Sequence, residues 1–253
     1  MLVTLRPGQR VRGELGGDFR VLEWGGEGSY ARVYRAEGAH GSVALKLAKV
    51  EVHGAEDRLL REQEAHARCV HAAIPVLFDA GRTEPAAGSE PGAPWLARRW
   101  VEGSTLRQCL ERDRSLPLVR TLPILLRLAD AVAALQAAGW SHGDLRPDNV
   151  LLEAGTHRAF LLDLGEARPA AAHTVHPSPD LHQLGELLAW CLTGGDPAAE
   201  PDRLSLAAGY HLLAIQLWQE TRGGRLSGAR EFGDRLQRLA HQLGLPAETG
   251  RPK

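Results

Sequence analysis

The sequence predicts an α+β protein: a small, β-rich amino-terminal part with one main helix, then a larger, mainly helical carboxy-terminal part. Three observations predict this. Residues 19–24, 31–34 and 42–50 alternate apolar and polar side chains, with a glycine-rich break after the first run. Residues 55–69 switch to three- and four-residue spacing. Beyond residue 104 the periodicity is mostly helical, interrupted by the loop Ser141–Leu152, SHGDLRPDNVLL.

Composition bounds the possibilities. With 253 residues and 43% hydrophobic content, the chain can bury one large core or two lobes sharing a cleft. Thirty basic residues against 31 acidic ones, a net charge of −1, leave no electrostatic footprint for nucleic acid or an anionic membrane. No apolar run reaches the ~18 residues of a membrane span, and MLVTLRPGQRVRG lacks a signal peptide's apolar core. Cys69, Cys109 and Cys191 form neither a paired framework nor a CxxC site, so the expectation is a reduced, cytoplasmic compartment. Lysine occurs only at 46, 49 and 253 in an arginine-rich chain, which singles out those ammonium groups.

Taken in order, FRVLEW reads as a strand, Gly25-Gly26-Glu27-Gly28 as a turn, and Ala31–Tyr34 as the returning strand. Such a turn leaves backbone N–H groups open to phosphate oxygens. In 42–50, Val43, Leu45 and Leu47 share one face, and Ala44, Lys46 and Ala48 the other. The helix 55–69 carries Leu59, Glu62, His66 and Cys69 on its apolar stripe. A carboxylate there needs a partner: Lys46 is the natural one, and a surface pair with Arg58 is the alternative. Residues 81–94 read as a loop rich in Pro, Gly, Ala and Glu. Helices follow over 104–112, capped by Ser104, and over 121–138, with Thr121 as cap and Pro123 in the first turn.

In SHGDLRPDNVLL, Pro147 holds Arg146 out of the helical region and stiffens a loop that carries Asp144 and Asn149. A carboxylate and an amide there suit a hydroxyl-activating base beside a metal ligand, or else simply bond backbone. AFLLDLGEAR then reads as a buried strand ending at Asp163, and helices close the chain over 208–220 and 228–243.

These motifs resemble the protein-kinase superfamily over about residues 10–243. SHGDLRPDN resembles the catalytic loop HRDLKPxN, Gly26, Gly28 and Val33 the glycine loop, and VALK the strand bearing its lysine. HAAIPVLFDAG matches HPxIvxlxdxG and selects Glu62 rather than Glu64 as the partner of Lys46. WLARRWVEG resembles the strand and hinge beside adenine, with Arg98 at the gatekeeper position and a one-residue slip, placing Ala97 inward, as the alternative. DLG resembles the metal-binding DFG turn, and DLHQLGELLAWCLTGGDP the helix whose Asp180 braces the catalytic loop. The chain departs at Ala31, at Arg146 (Lys in the family) and at Gly143 (Arg in many relatives). Only fourteen residues separate Gly165 from Asp180, without an APE motif, so activation-loop phosphorylation is not expected, although Thr174 and Ser178 supply hydroxyls. Arg225 lacks the APE glutamate as a partner.

The resemblance implies a bilobal kinase-like fold: an N-lobe over 1–98, a hinge over 99–102 and a C-lobe over 103–253, with ATP between the lobes. It implies transfer of the γ-phosphoryl of Mg²⁺-ATP to a hydroxyl. Asp144, Arg146, Lys46 and Glu62 would be catalytic, and Asn149 and Asp163 would hold Mg²⁺. Gly26, Gly28, Ser29, Val33, Ala44, Lys46, Arg99, Val101 and Leu151 would line the nucleotide site. A Ser/Thr protein kinase leads, with a hydroxyl-bearing protein as partner. A phosphotransferase for sugars, aminocyclitols or antibiotics is the alternative, and a nucleotide-binding pseudokinase the third reading.

Overall fold

In a computed structural model, the described residues are 4–84, 92–170, 179–196 and 201–245, with backbone alone over 201–211. Thr174 and Ser178, residues 85–91 of the 81–94 loop and the carboxy-terminal residues 246–253 lie outside them, and the described ends of that loop, Gly81, Arg82 and Pro94, are strand residues instead. The chain divides into two compact units. The first comprises residues 1–70, 75–101 and 163–167, and the second 71–74, 102–162 and 168–253. Two short segments therefore cross the contiguous division drawn from the sequence.

The first unit is a six-stranded antiparallel sheet with one helix. Its elements are β1 (Arg10–Arg12), β2 (Asp18–Glu27), β3 (Ala31–Gly38), β4 (Gly41–Ala48), α1 (Ala55–Arg68), β5 (Leu77–Arg82) and β6 (Pro94–Arg99), in the sheet order β1-β2-β3-β4-β6-β5. The two faces of β4 separate as the alternation predicts. Val43, Leu45 and Leu47 enter one apolar cluster with Phe19, Val21, Tyr34 and Trp95. Ala48 enters another with Ala55 and Leu59 of α1 and Leu96 of β6. Asp79, buried in β5, accepts the N–H groups of Leu15 at 3.0 Å and Gly17 at 2.7 Å, which anchors the β1–β2 connection.

The glycine break differs from the expectation. β2 runs on through Gly25 and Gly26 to Glu27, and the turn itself occupies Gly28, Ser29 and Tyr30. Pairing with β3 shifts register between Trp24 and Gly26, and Gly26 takes φ +129°, a value that side chains with a Cβ resist.

In the second unit the elements are β7 (Gly103–Thr105), α2 (Leu106–Asp113), α3 (Leu118–Ala137), β8 (Trp140–Ser141), β9 (Val150–Glu153), β10 (Ala159–Leu161), β11 (Arg168–Pro169), α4 (Pro179–Thr193), α5 (Pro201–Arg222) and α6 (Ala229–Gln242). Its strands form the sheets β10-β9-β7 and β11-β8, and its core is helical. Leu122, Leu125, Leu126, Leu128 and Val132 of α3 are all buried, as are Leu184, Leu187 and Leu188 of α4.

Two helix starts correct the sequence reading. The cap of α2 is Thr105, which forms a reciprocal capping box with Gln108, while Ser104 lies in β7. α3 begins at Leu118, so Pro123 lies inside the helix. Thr121 is buried and donates its hydroxyl to the Leu116 and Pro117 carbonyls rather than capping. The pull is burial: Leu118 is 4% exposed, and the core gains another turn at the expense of a cap. α5 also starts seven residues before the predicted 208. Arg225 is exposed to solvent. Among the described residues, no helix is long and apolar enough to cross a membrane.

Candidate active site

In the first unit, strand register builds a row. Gly26 of β2 lies opposite Val33 of β3, and Val33 opposite Lys46 of β4. Lys46 is 8% exposed, and its ammonium donates to Glu62 Oε2 at 2.5 Å and to Asp163 Oδ1 at 2.7 Å. Glu62, two turns into α1, is fully buried, so the apolar stripe of that helix delivers one carboxylate to one ammonium. The alternative pair with Arg58 does not form. Arg58 stacks over the Tyr30 ring at 3.7 Å and pairs with Glu166.

Charge in this cluster is strongly coupled. Burial works against the Lys46 cation, yet Glu62 and Asp163 hold its proton more tightly than an ordinary lysine does. Burial pushes the Glu62 carboxyl up, and Lys46 pulls it back. For Asp163, burial pushes up as well, but Lys46 and the Gly165 N–H keep the carboxyl well below the usual carboxylate range. Asp163 takes the left-handed φ of +57°, uncommon away from glycine, and the Gly165 N–H bonds back to its carboxylate at 3.1 Å.

Other first-unit residues are placed as follows. Ala44 is buried on the Lys46 face, opposite Arg98. Ser29 is exposed at the tip of the turn, and Gly28 has open space where a Cβ would be. The Arg99 N–H donates to the Val76 carbonyl at 2.8 Å, so that group is committed within the first unit. Val101 is buried. Arg98, not Ala97, shares the face of Lys46, and its guanidinium lies 4.0 Å from Glu62 Oε1.

In the second unit, the loop between β8 and β9 holds Asp144 and Asn149 together. Asn149 Nδ2 donates to both the carbonyl and the Oδ2 of Asp144, each at 2.8 Å. This leaves the amide oxygen as the hard donor atom that Asn149 can offer a cation. Pro147–Asn149 form a single 3₁₀ turn, and Arg146 is extended as the proline requires.

His142 is buried, its Nδ1 accepting the Asp144 N–H at 3.2 Å, which makes Nε2 the donor to the Leu162 carbonyl at 3.2 Å. Asp180 of α4 receives the N–H groups of His142 at 2.8 Å and Gly143 at 2.7 Å. Gly143 takes φ +82°, which suits the residue found there. Leu151 is half-buried in β9.

Arg146 is engaged elsewhere than the family pattern suggests. Its Nε and Nη2 grip Asp148 Oδ2 at 3.0 and 2.9 Å, and Arg107 joins the same oxygen at 3.3 Å.

Four side chains make contacts that were not read from the sequence. Lys49 donates to the Gly28 carbonyl at 2.8 Å and pairs with Glu27. Gln183 accepts the Leu145 N–H at 2.9 Å, one turn along α4 from Asp180. Arg58 meets Glu166, and Arg107 meets Asp148. The scarcity of lysine marked position 49, and three-residue spacing from Asp180 could have marked Gln183.

Residues 19–180 match the family model for a protein kinase domain. The chain belongs to the protein kinase family. Among curated proteins, this kinase chain is similar to the serine/threonine-protein kinase PknD of Mycobacterium tuberculosis, at 28% identity over 229 residues, covering 88% of this chain and 32% of that protein. The kinase chain thus spans about a third of that relative's length. Among solved structures, it is similar to the PknI kinase domain of Mycobacterium tuberculosis, with a TM-score of 0.71 and 24% identity over 93% of this chain and 99% of that one. Vaccinia related kinase 3 gives a TM-score of 0.76 at 16% identity, over 100% of this chain and 96% of that one. These likenesses show the protein kinase fold, in accord with the α+β reading of the sequence.

Proposed function

We propose that this chain is a Ser/Thr protein kinase-like phosphotransferase that uses Mg²⁺-ATP. The observation that carries the reading is the Lys46 ammonium held between Glu62 and Asp163 in a family that uses such a triad on nucleotide phosphates. Mg²⁺-ATP supplies the transferable γ-phosphoryl group and offsets its developing charge.

Lys46, kept charged and fixed by Glu62, grips phosphate oxygens, and the glycine turn at Gly26, Gly28 and Ser29 offers backbone N–H groups. Val33, Ala44 and Val101 would supply apolar surface for the base from the first unit, and Leu151 is the candidate that the second unit carries. Asp163 in the first unit and the Asn149 amide oxygen in the second would each suit a hard cation, because one is an ionised carboxylate and the other a preset oxygen donor. Asp144, steadied by Asn149, accepts the hydroxyl proton. Arg146 steadies phosphate once it leaves Asp148. The acceptor is a hydroxyl on a protein, in line with the names of the relatives. Placement in the cytoplasm belongs to the same proposal.

Purified protein is given radiolabelled ATP with Mg²⁺ and cell lysate, which is then resolved into protein and small-molecule fractions. Label in protein, lost in Asp144→Asn, is the expected result. Label confined to small molecules supports the sugar or antibiotic phosphotransferase instead, and nucleotide binding without transfer supports a pseudokinase.

A further inference from the structure

Arg98 plays no part in the reading above, yet it is buried to 7% exposure beside the Lys46 cluster. On β6 it lies opposite Ala44 of β4, and Leu96 lies opposite Lys46, so the two cations project from one face of the sheet. α1 packs on that face and delivers Glu62 to both.

The carboxylate divides its oxygens. Oε2 is taken by Lys46 at 2.5 Å, and Oε1 faces Arg98 Nη1 at 4.0 Å. Both Oε1 and Nη1 are buried with no other hydrogen-bond partner among the described residues. Two unsatisfied atoms of opposite charge, about an ångström beyond bonding distance, form a contact that a small side-chain movement or one water completes. Balance points the same way. Lys46 and Arg98 bring two positive charges, Glu62 and Asp163 two negative ones, and His66 alongside is neutral. A buried guanidinium without a carboxylate would be costly, as would a Glu62 oxygen without a donor.

We propose that Arg98 is a positioning residue for Lys46: it holds the second oxygen of Glu62 and so fixes the helix-borne carboxylate that orients the ammonium. Arg98 therefore ties α1 to the sheet through a residue of the sheet itself, with no added phosphate required. Its effect on nucleotide rests on the proposed function, whereas its effect on α1 does not.

The test is a double-mutant cycle of Arg98→Leu and Glu62→Gln, with Arg98→Lys as rescue. The first readout is amide hydrogen exchange over 55–68 in nucleotide-free protein. The second is equilibrium titration with N-methylanthraniloyl-ADP and magnesium chloride. R98L is expected to speed α1 exchange about tenfold and weaken nucleotide binding about tenfold, raising KM for ATP more than it lowers kcat. R98K recovers at least half of each effect on a logarithmic scale. In the E62Q background, R98L adds nothing further.

Unchanged α1 exchange in R98L, or an equal increment with and without Glu62, overturns the proposal. Where R98L does not fold, Arg98→Gln runs through the same cycle and decides on the same criteria. Wild-type protein that binds no nucleotide defeats the proposed function and leaves the exchange arm to judge Arg98.

Discussion

The Lys49 ammonium reaches the backbone carbonyl of Gly28 and donates to it at 2.8 Å. It also pairs with Glu27, the last residue of β2, so one side chain holds the entry to the turn. Lys49→Met is expected to weaken nucleotide binding about threefold to tenfold, the worth of one hydrogen bond. Lys49→Arg recovers part of this. Equilibrium titration with a fluorescent nucleotide checks it, and unchanged affinity in K49M would show that the contact is incidental.

Glu62 draws its hydrogen bond from Lys46 alone among the described residues, in full burial. Lys46→Met leaves Glu62 with only the 4.0 Å contact to Arg98, and breaking a buried pair on one side destabilises by about 3–5 kcal/mol. Adding Glu62→Gln removes the stranded charge, so the double variant is expected to be more stable than K46M. Urea unfolding of the three proteins measures the difference.

His66 gives a pH signature. Burial first, then Arg98 and Lys46, pull the ring down to about 3, while an unfolded histidine titrates near 6.5. The folded pKa is depressed, so the unfolded chain binds the extra proton below about 6.5. Stability from this group is complete above that pH and declines toward pH 3, by about 1.4 kcal/mol per unit. His66→Leu removes this slope. The difference between wild-type and variant unfolding free energies from pH 7 to 4 tests it, and a flat difference would refute it.

Asp180 accepts two backbone N–H groups of the loop that carries Asp144 from full burial. Asp180→Ala leaves both unpaired, and at about 1–3 kcal/mol each the loss is at least about 2 kcal/mol. Asp180→Asn keeps one acceptor oxygen and falls between. Thermal unfolding supplies the ranking, and phosphotransfer is expected to drop more than tenfold in D180A.

Strong periodicity made much of this legible in the sequence. The stripe of α1 located Glu62, and the alternation of β4 set Lys46 opposite the core face. What escaped were choices decided by tertiary packing. Leu118 drew α3 three residues past its apparent cap, and the Gly25-Gly26 pair continued a strand through a bulge instead of turning. Side-chain ties such as Lys49 to Gly28 or Arg146 to Asp148 depend on rotamers that no spacing specifies. Arg98 was visible as an oddity, but its address came only from the β4–β6 register.

Residues 163–167 belong to the first unit although residues 102–162 and 168–253 on either side of them belong to the second. No uninterrupted stretch of coding sequence therefore specifies that unit. A fragment ending at Val101 would inherit Lys46, Glu62 and Arg98 without Asp163, two cations against one carboxylate. Any genetic event that split the chain at that point would part Asp163 from Lys46, so the first unit cannot be inherited whole as one uninterrupted piece.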